Sequence, residues 1–287
     1  MSNDAGGRII SFISAGGGVG KTTLAIYLAY MLAHNGKRTL LIDLDPSAGL
    51  SVQLLGDIEV ARLEDGKKTV GDILQSLIKG EHVDLRNFII SIYIDGREVE
   101  LIPGGDEIAD VMVKIWGGSY LEPAKRIRKF VENFRKGWDF IVLDTVPFYE
   151  PRYTLASLAA ADKVIIVTQP YGAEPYRLRR MYEKLVRGVE GDRDKVRSKT
   201  RLLINKVEKT TNEGRKPELL NEKFNVDIPR FDVVIPKSVA LTRITAEGKR
   251  VTTGYKALSD VLEEFYKEVV EWVGEPVVEP VVEYDVH

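Results

Sequence analysis

The stretch "SAGGGVGKTTLAIYLAYML", residues 14–32, decides how this chain is read. It follows a short apolar run, "RIISFIS" (8–14), and opens a helical pattern in which Leu24, Leu28, Met31 and Leu32 share a face. Strand, glycine-rich turn and helix in that order make a phosphate-binding loop. Gly16, Gly17, Gly18 and Gly20 lack Cβ atoms, so backbone N–H groups there can turn inward around a phosphate. The helix start adds the positive end of its dipole. Lys21 is placed to reach the outer phosphates and the Thr22 hydroxyl to ligate Mg2+, with Val19 and Thr23 completing the binding segment. Ala15 stands where the general pattern has its first glycine, which is acceptable at negative φ.

Composition sets the frame for that loop. The chain has 287 residues, 41 Lys and Arg against 43 Asp and Glu, and no cysteine. Near-zero net charge argues against a wholly basic nucleic-acid coat and leaves room for local patches. Without cysteine there are no disulfides, thiol catalysis or thiolate metal sites. No apolar run is long enough for a signal peptide or membrane span, so a cytoplasmic protein is expected.

Further apolar runs follow the loop: "RTLLIDLD" (38–45), "WDFIVLDT" (138–145), "DKVIIVTQ" (162–169), "TRLLINKV" (200–207) and "FDVVIP" (231–236). They are nearly continuous in Val, Ile and Leu, which indicates strands covered on both faces, as in a parallel sheet. Alternation with helical patterns predicts a three-layer, doubly wound α/β fold of the P-loop NTPase kind. "NFIISIYIDGREVELIPGG" (87–105) breaks the rhythm; Asp95-Gly96 predicts a type I′ β-hairpin at a sheet edge. Helices are expected over 69–80, 119–136 and about 257–273. The reading is one ATPase domain over residues 1–274 and an acidic tail over 275–287, where Glu275, Glu279, Glu283 and Asp285 meet no Lys or Arg.

Phosphate chemistry of this kind needs a carboxylate to hold Mg2+ and its waters. Asp144 ends "FIVLD", and Asp43 and Asp45 end "LLIDLD". Three carboxylates at strand ends, on the edge where α/β sheets bind ligands, are expected to surround a metal and a water.

With the loop, "DLDP" (43–46) and "DFIVLDTVP" (139–147) in place, the chain resembles the ParA/MinD family of partition and positioning ATPases, nearer to ParA. The resemblance spans about residues 8 to 270. "TVGDILQSLIKG", "VELIPGGDEIADV", "LLINKV" and "VIPKSVALTRITAEGKRV" fall in the family's order. It implies two subunits sandwiching two ATP molecules with Mg2+, an ATP-bound homodimer that binds double-stranded DNA without sequence preference, and a ParB-like partner that stimulates hydrolysis. It further implies that Lys21 and Thr22 bind phosphate and metal, that Asp45 orients the attacking water, and that Asp43 and Asp144 support the metal shell. Asn205 would read the adenine edge and Pro236 would pack on the base.

One glycine departs from the family. Its loop carries a lysine where Gly16 stands, and that lysine crosses the dimer interface to the partner's phosphates. A trans-acting cation is worth roughly 10³–10⁵ in rate by the arginine-finger analogy. ATP binding is therefore expected to persist with weakened hydrolysis, and lysine at 16 to raise turnover at least tenfold. A natural low-turnover variant, a substitute cation such as Arg152, and a change introduced to trap a nucleotide state all fit the glycine.

Residues 176–216 hold fourteen Lys and Arg against six Asp and Glu, with Arg177, Arg179 and Arg180 at the start. Lys237 and Arg243 begin a second cluster. Such stripes make sequence-independent phosphate contacts, so these five are the candidate DNA-binding residues in a nucleoid-associated segregation protein. The arginine that relatives use after "IP" aligns with Ala240. A nucleotide-binding scaffold with little hydrolysis is the alternative that Gly16 favours. A MinD-like membrane-positioning role is disfavoured by the acidic, proline-broken tail.

Overall fold

The computed structural model describes residues 6–115, 121–188, 192–208, 224, 226–238 and 256–274. From the amino terminus, β1 (Arg8–Ser14) leads through the glycine loop into α1 (Lys21–His34) and β2 (Thr39–Asp43). Three helices follow, α2 (Gly49–Leu55), α3 (Asp57–Asp65) and α4 (Val70–Lys79), then β3 (Ile90–Ile94) and β4 (Arg97–Ile102). Next come α5 (Glu107–Lys114), α6 (Leu121–Glu132), β5 (Phe140–Asp144), α7 (Pro151–Ala160) and β6 (Lys163–Thr168). The remainder is α8 (Glu174–Gly188), α9 (Arg193–Lys199), β7 (Thr200–Val207), β8 (Arg230–Pro236) and α10 (Lys256–Trp272).

The strands form one eight-stranded sheet in the order β3-β4-β2-β5-β1-β6-β7-β8. All pairings are parallel except β3 with β4, the hairpin at the edge. Asp95 at φ 48° and Gly96 at φ 75° both sit in the left-handed region that a type I′ turn requires. The apolar strand runs are buried because helices cover both faces. Ile9 and Ile13 of β1 join the core under α4 to α9, while Ile10 and Phe12 join the core under α1 and α10. Leu24 through Leu32 of α1 are all buried, so this helix is enclosed all round rather than on the single face its spacing suggests.

Helix α4 shows how local sequence fixes an element. Thr69 caps it, accepting from the Asp72 N–H while the Asp72 carboxylate accepts from the Thr69 N–H, and Gly80 at φ 76° ends it. The helix expected over 119–136 is confined to Leu121–Glu132 among the described residues. Parallel register places Asp43 beside Asp144, both at the carboxyl ends of central strands next to the glycine loop. Among the described residues, no helix is long and apolar enough to cross a membrane. The tail from 275 and residues Ala240 and Arg243 lie outside the described residues.

Candidate functional site

The loop between β1 and α1 has the conformation its glycines predict. Gly18 (φ 74°) and Gly20 (φ 92°) occupy the left-handed region, and Ala15 avoids it. Among the described residues no side chain caps α1, so the first N–H groups of this 14-residue helix can serve an anion. A Cβ on Gly18 would meet no atom of the described residues within 4 Å, its chain neighbours aside. The loop borders a cavity of about 240 Å³ lined by Gly16, Gly18, Val19, Gly20, Lys21, Thr22 and Thr23. Gly17 lies between them, with Pro147 of the β5–α7 loop across from it.

Lys21 and Thr22 converge on one carboxylate. The Lys21 ammonium forms a short ion pair with Asp144 Oδ1, and Thr22 Oγ1 donates to Asp144 Oδ2 at 2.7 Å. Lys21 is 3% exposed at its side chain and Asp144 1%, so the pair is held out of water. A lysine and a hydroxyl gathered by a buried acid under an uncapped helix start form a donor set suited to phosphate and Mg2+ together.

The three-carboxylate metal cluster expected from Asp43, Asp45 and Asp144 is not what the fold builds. Asp43 spends both oxygens on its own scaffold: Oδ1 accepts from Asp45 N, and Oδ2 from Ser51 N and Ser51 Oγ at 2.9 and 2.8 Å. Ser51 Oγ in turn accepts from Gly104 N, which ties the end of β2 to the segment after β4. Asp45 turns to the Ser47 N–H at 2.9 Å. Among the described residues no group of three acidic or imidazole side chains could hold a metal ion. Burial, and then the charge of Asp144, pushes the Asp43 carboxyl up to about 7 against the hydrogen bonds from Ser51 and Asp45. Asp43 is thus tied to the β2 loop and to Ser51 of α2.

The cavity is lined as well by Asn205 and Lys206 at the tip of β7, Pro236 at the end of β8, Ser238 just beyond it, and Gln53 of α2. Asn205 Nδ2 donates to the Val19 carbonyl at 2.8 Å, and Lys206 Nζ donates to the Gly18 carbonyl at 2.5 Å. Two consecutive residues thus hold two consecutive carbonyls of the glycine loop. Lys206 has φ 59°, a strained value for a lysine. Its role escaped the sequence reading, although "NK" at a strand end facing a glycine loop was a usable signal. Gln53 gave no signal, and Pro147 entered only as the last residue of the "DFIVLDTVP" motif.

Residues 7–189 match the family described as AAA_31, an AAA domain. The chain is 31% identical over 252 residues to the chromosome-partitioning ATPase Soj of Thermus thermophilus, covering 85% of this chain and 87% of that one. It belongs to the ParA/MinD family of partition ATPases. Among solved structures, a putative plasmid partition protein of Borrelia burgdorferi bound to AMPPNP superposes with a TM-score of 0.68 at 22% identity, covering 93% and 98% of the two chains. The septum site-determining protein MinD of Pyrococcus horikoshii complexed with Mg-ADP gives 0.66 at 22% identity, covering 93% and 97%. Both likenesses are of fold.

Gly16 has close neighbours that come from far along the chain. A Cβ there would lie 1.9 Å from Glu174 Oε1. Lysine at 16 is therefore no simple addition, as the sequence reading had it: Glu174, 2% exposed, must first move. Arg152, the substitute cation suggested by sequence, pairs instead with Glu150 at 2.9 Å at the start of α7. Of the DNA candidates, Arg179 and Arg180 are exposed on α8, Lys237 pairs with Glu208 at 2.7 Å, and Arg177 pairs with Glu174 at 2.9 Å.

Proposed function

We propose that this chain is an ATP-dependent dimerisation switch that binds DNA without sequence preference and acts in plasmid or chromosome segregation in the cytoplasm, on the nucleoid. The observation that carries the reading is the convergence of Lys21 and Thr22 on buried Asp144 beneath the uncapped start of α1. ATP is the substrate: water adds to the γ-phosphorus, the bond to the β–γ bridging oxygen breaks, and ADP, phosphate and a proton leave. The N–H groups of Gly17 to Thr23 cradle the phosphates, Lys21 neutralises them, and Asp45 orients the water. Thr22 and Asp144 would hold Mg2+, with Asp43 buttressing that end of the sheet, and the ion would supply charge neutralisation on the phosphate oxygens. Asn205 and Pro236 line the side of the cavity that takes adenine. Hydrolysis by the chain alone is slow, and a ParB-like partner accelerates it. Residues 1–274 form the ATPase unit, with 275–287 as an acidic appendage.

Exposed Arg179 and Arg180 on α8 offer the phosphate contacts to DNA, doubled in a dimer. The test is retention of random duplex DNA with ATP and with ADP across a salt series, with light scattering for mass. The expected result is dimer mass and salt-sensitive retention with ATP only, and loss of retention in Arg179→Glu/Arg180→Glu. Retention indifferent to nucleotide, or undiminished in the double variant, refutes the switch or the surface respectively.

A further inference from the structure

The space that a side chain at position 16 would need is already filled. A Cβ on Gly16 would lie 1.9 Å from Glu174 Oε1, 2.8 Å from the carboxyl carbon and 3.0 Å from Arg177 Nη1. Glu174, the first residue of α8, is 2% exposed. Its Oε1 accepts from Arg177 Nη1 at 2.9 Å, and its Oε2 is buried without a hydrogen-bond partner among the described residues. A buried carboxylate with half its acceptor capacity unused is a poor stabiliser of a fold. Here it does something else: it lies over the start of the glycine loop and fixes a guanidinium there.

Arg177 is suited to that place. Its side chain is 53% exposed, and its Nη1 lies beside Gly16, 3.0 Å from where a Cβ would stand. Only one of the five guanidinium N–H groups is needed for Glu174, which leaves a planar fork for phosphate oxygens. Lys21 already stands at the other end of the loop, where the helix begins. The two cations bracket the segment from Gly16 to Gly20.

We infer that Glu174 and Arg177 together supply the cation that Gly16 omits, with Glu174 as the positioning residue and Arg177 neutralising the terminal phosphate of a nucleoside triphosphate held in the same chain's loop. The inference rests on the nucleotide-binding reading above and deepens it. Gly16 is then the residue that makes room for Glu174, and Arg177 leaves the set available to DNA, in which Arg179 and Arg180 remain. A diphosphate gains little from Arg177, because the loop's N–H groups and Lys21 serve it already.

The experiment is equilibrium titration with AMPPNP and with ADP, both with Mg2+, on wild type, Arg177→Ala, Arg177→Lys and Gly16→Ala, alongside phosphate release from ATP. Arg177→Ala is expected to lose roughly tenfold of the preference for AMPPNP over ADP, the size of one charged hydrogen bond, while ADP affinity holds. Turnover falls with it. Arg177→Lys recovers part of both. Gly16→Ala, whose methyl must push Glu174 aside, follows Arg177→Ala. Where Arg177→Ala melts early because Glu174 is stranded, Glu174→Gln/Arg177→Gln removes both charges and carries the same expectation. An unchanged AMPPNP-to-ADP ratio, or a loss shared equally by ADP, overturns the inference while ADP binding leaves the nucleotide reading standing. A wild type that binds neither nucleotide sinks both.

Discussion

Asp144→Asn separates the structural from the functional work of the buried ion pair. Lys21 and Asp144 are almost wholly out of water, and Thr22 shares the same carboxylate. Removing one charge of a buried pair costs about 3–5 kcal/mol, and asparagine keeps an oxygen for one of the two donors, which points to about 3 kcal/mol. For a chain of this size that is a fall in Tm of about 6 °C. The same change frees Lys21 from a charged competitor that a phosphate must otherwise displace. Affinity for ADP in EDTA should therefore rise, by roughly tenfold if about 1.4 kcal/mol of that competition is relieved. With Mg2+ present the order reverses, because Asp144 no longer supports the ion. Scanning fluorimetry and calorimetry with and without Mg2+ read all three effects. A variant with unchanged Tm and unchanged metal-free ADP affinity would refute the idea that Asp144 holds the lysine in reserve.

Two further outcomes follow from geometry elsewhere. Gly20→Ala forces a Cβ onto a residue at φ 92° and within 2.4 Å of Asn205 Nδ2, so about 1–3 kcal/mol of strain and loss of the Asn205 tether are expected, with nucleotide binding abolished. Wild-type affinity in that variant would show that the loop is not the binding cradle. Asp162 is half-buried; burial raises its carboxyl, but hydrogen bonds from Arg135 and the Ile9 N–H outweigh that and hold it below the ordinary range. A carboxyl lowered in the folded state stabilises above its unfolded pKa of about 3.9, and the gain disappears as pH falls through the folded value. Asp162→Asn should thus melt earlier than wild type at neutral pH and converge with it in strong acid. A gap in Tm that persists at the acid end would contradict the assignment.

The sheet was legible because its strands are buried on both faces. "TRLLINKV" (200–207) coincides with β7 and "RIISFIS" with β1, and Asp95-Gly96 announces the hairpin by the positive φ both residues must adopt. The loop chemistry was legible because Gly, Lys and Thr carry it in one segment. Helices α2 and α3 were not, since Gly49 and Gly56 punctuate a stretch with no long apolar period. The clamp of Ser51 on Asp43 was hidden because a serine on a short helix has many other uses. The contact of Glu174 with Gly16 joins residues 158 positions apart in sequence, and nothing local marks either as the other's neighbour.

The two tethers from the tip of β7 have a mechanical consequence. Asn205 and Lys206 pull on the carbonyls of Val19 and Gly18 from neighbouring backbone positions, so the loop and the strand tip move as one lever. A purine ring pressing on that tip would re-aim the peptide groups around the phosphates, and a phosphate settling into the loop would tug the tip toward the ring. Fragments such as pyrophosphate or adenosine alone would each grip only one end of the lever, and their affinities would not multiply simply to that of the intact nucleotide.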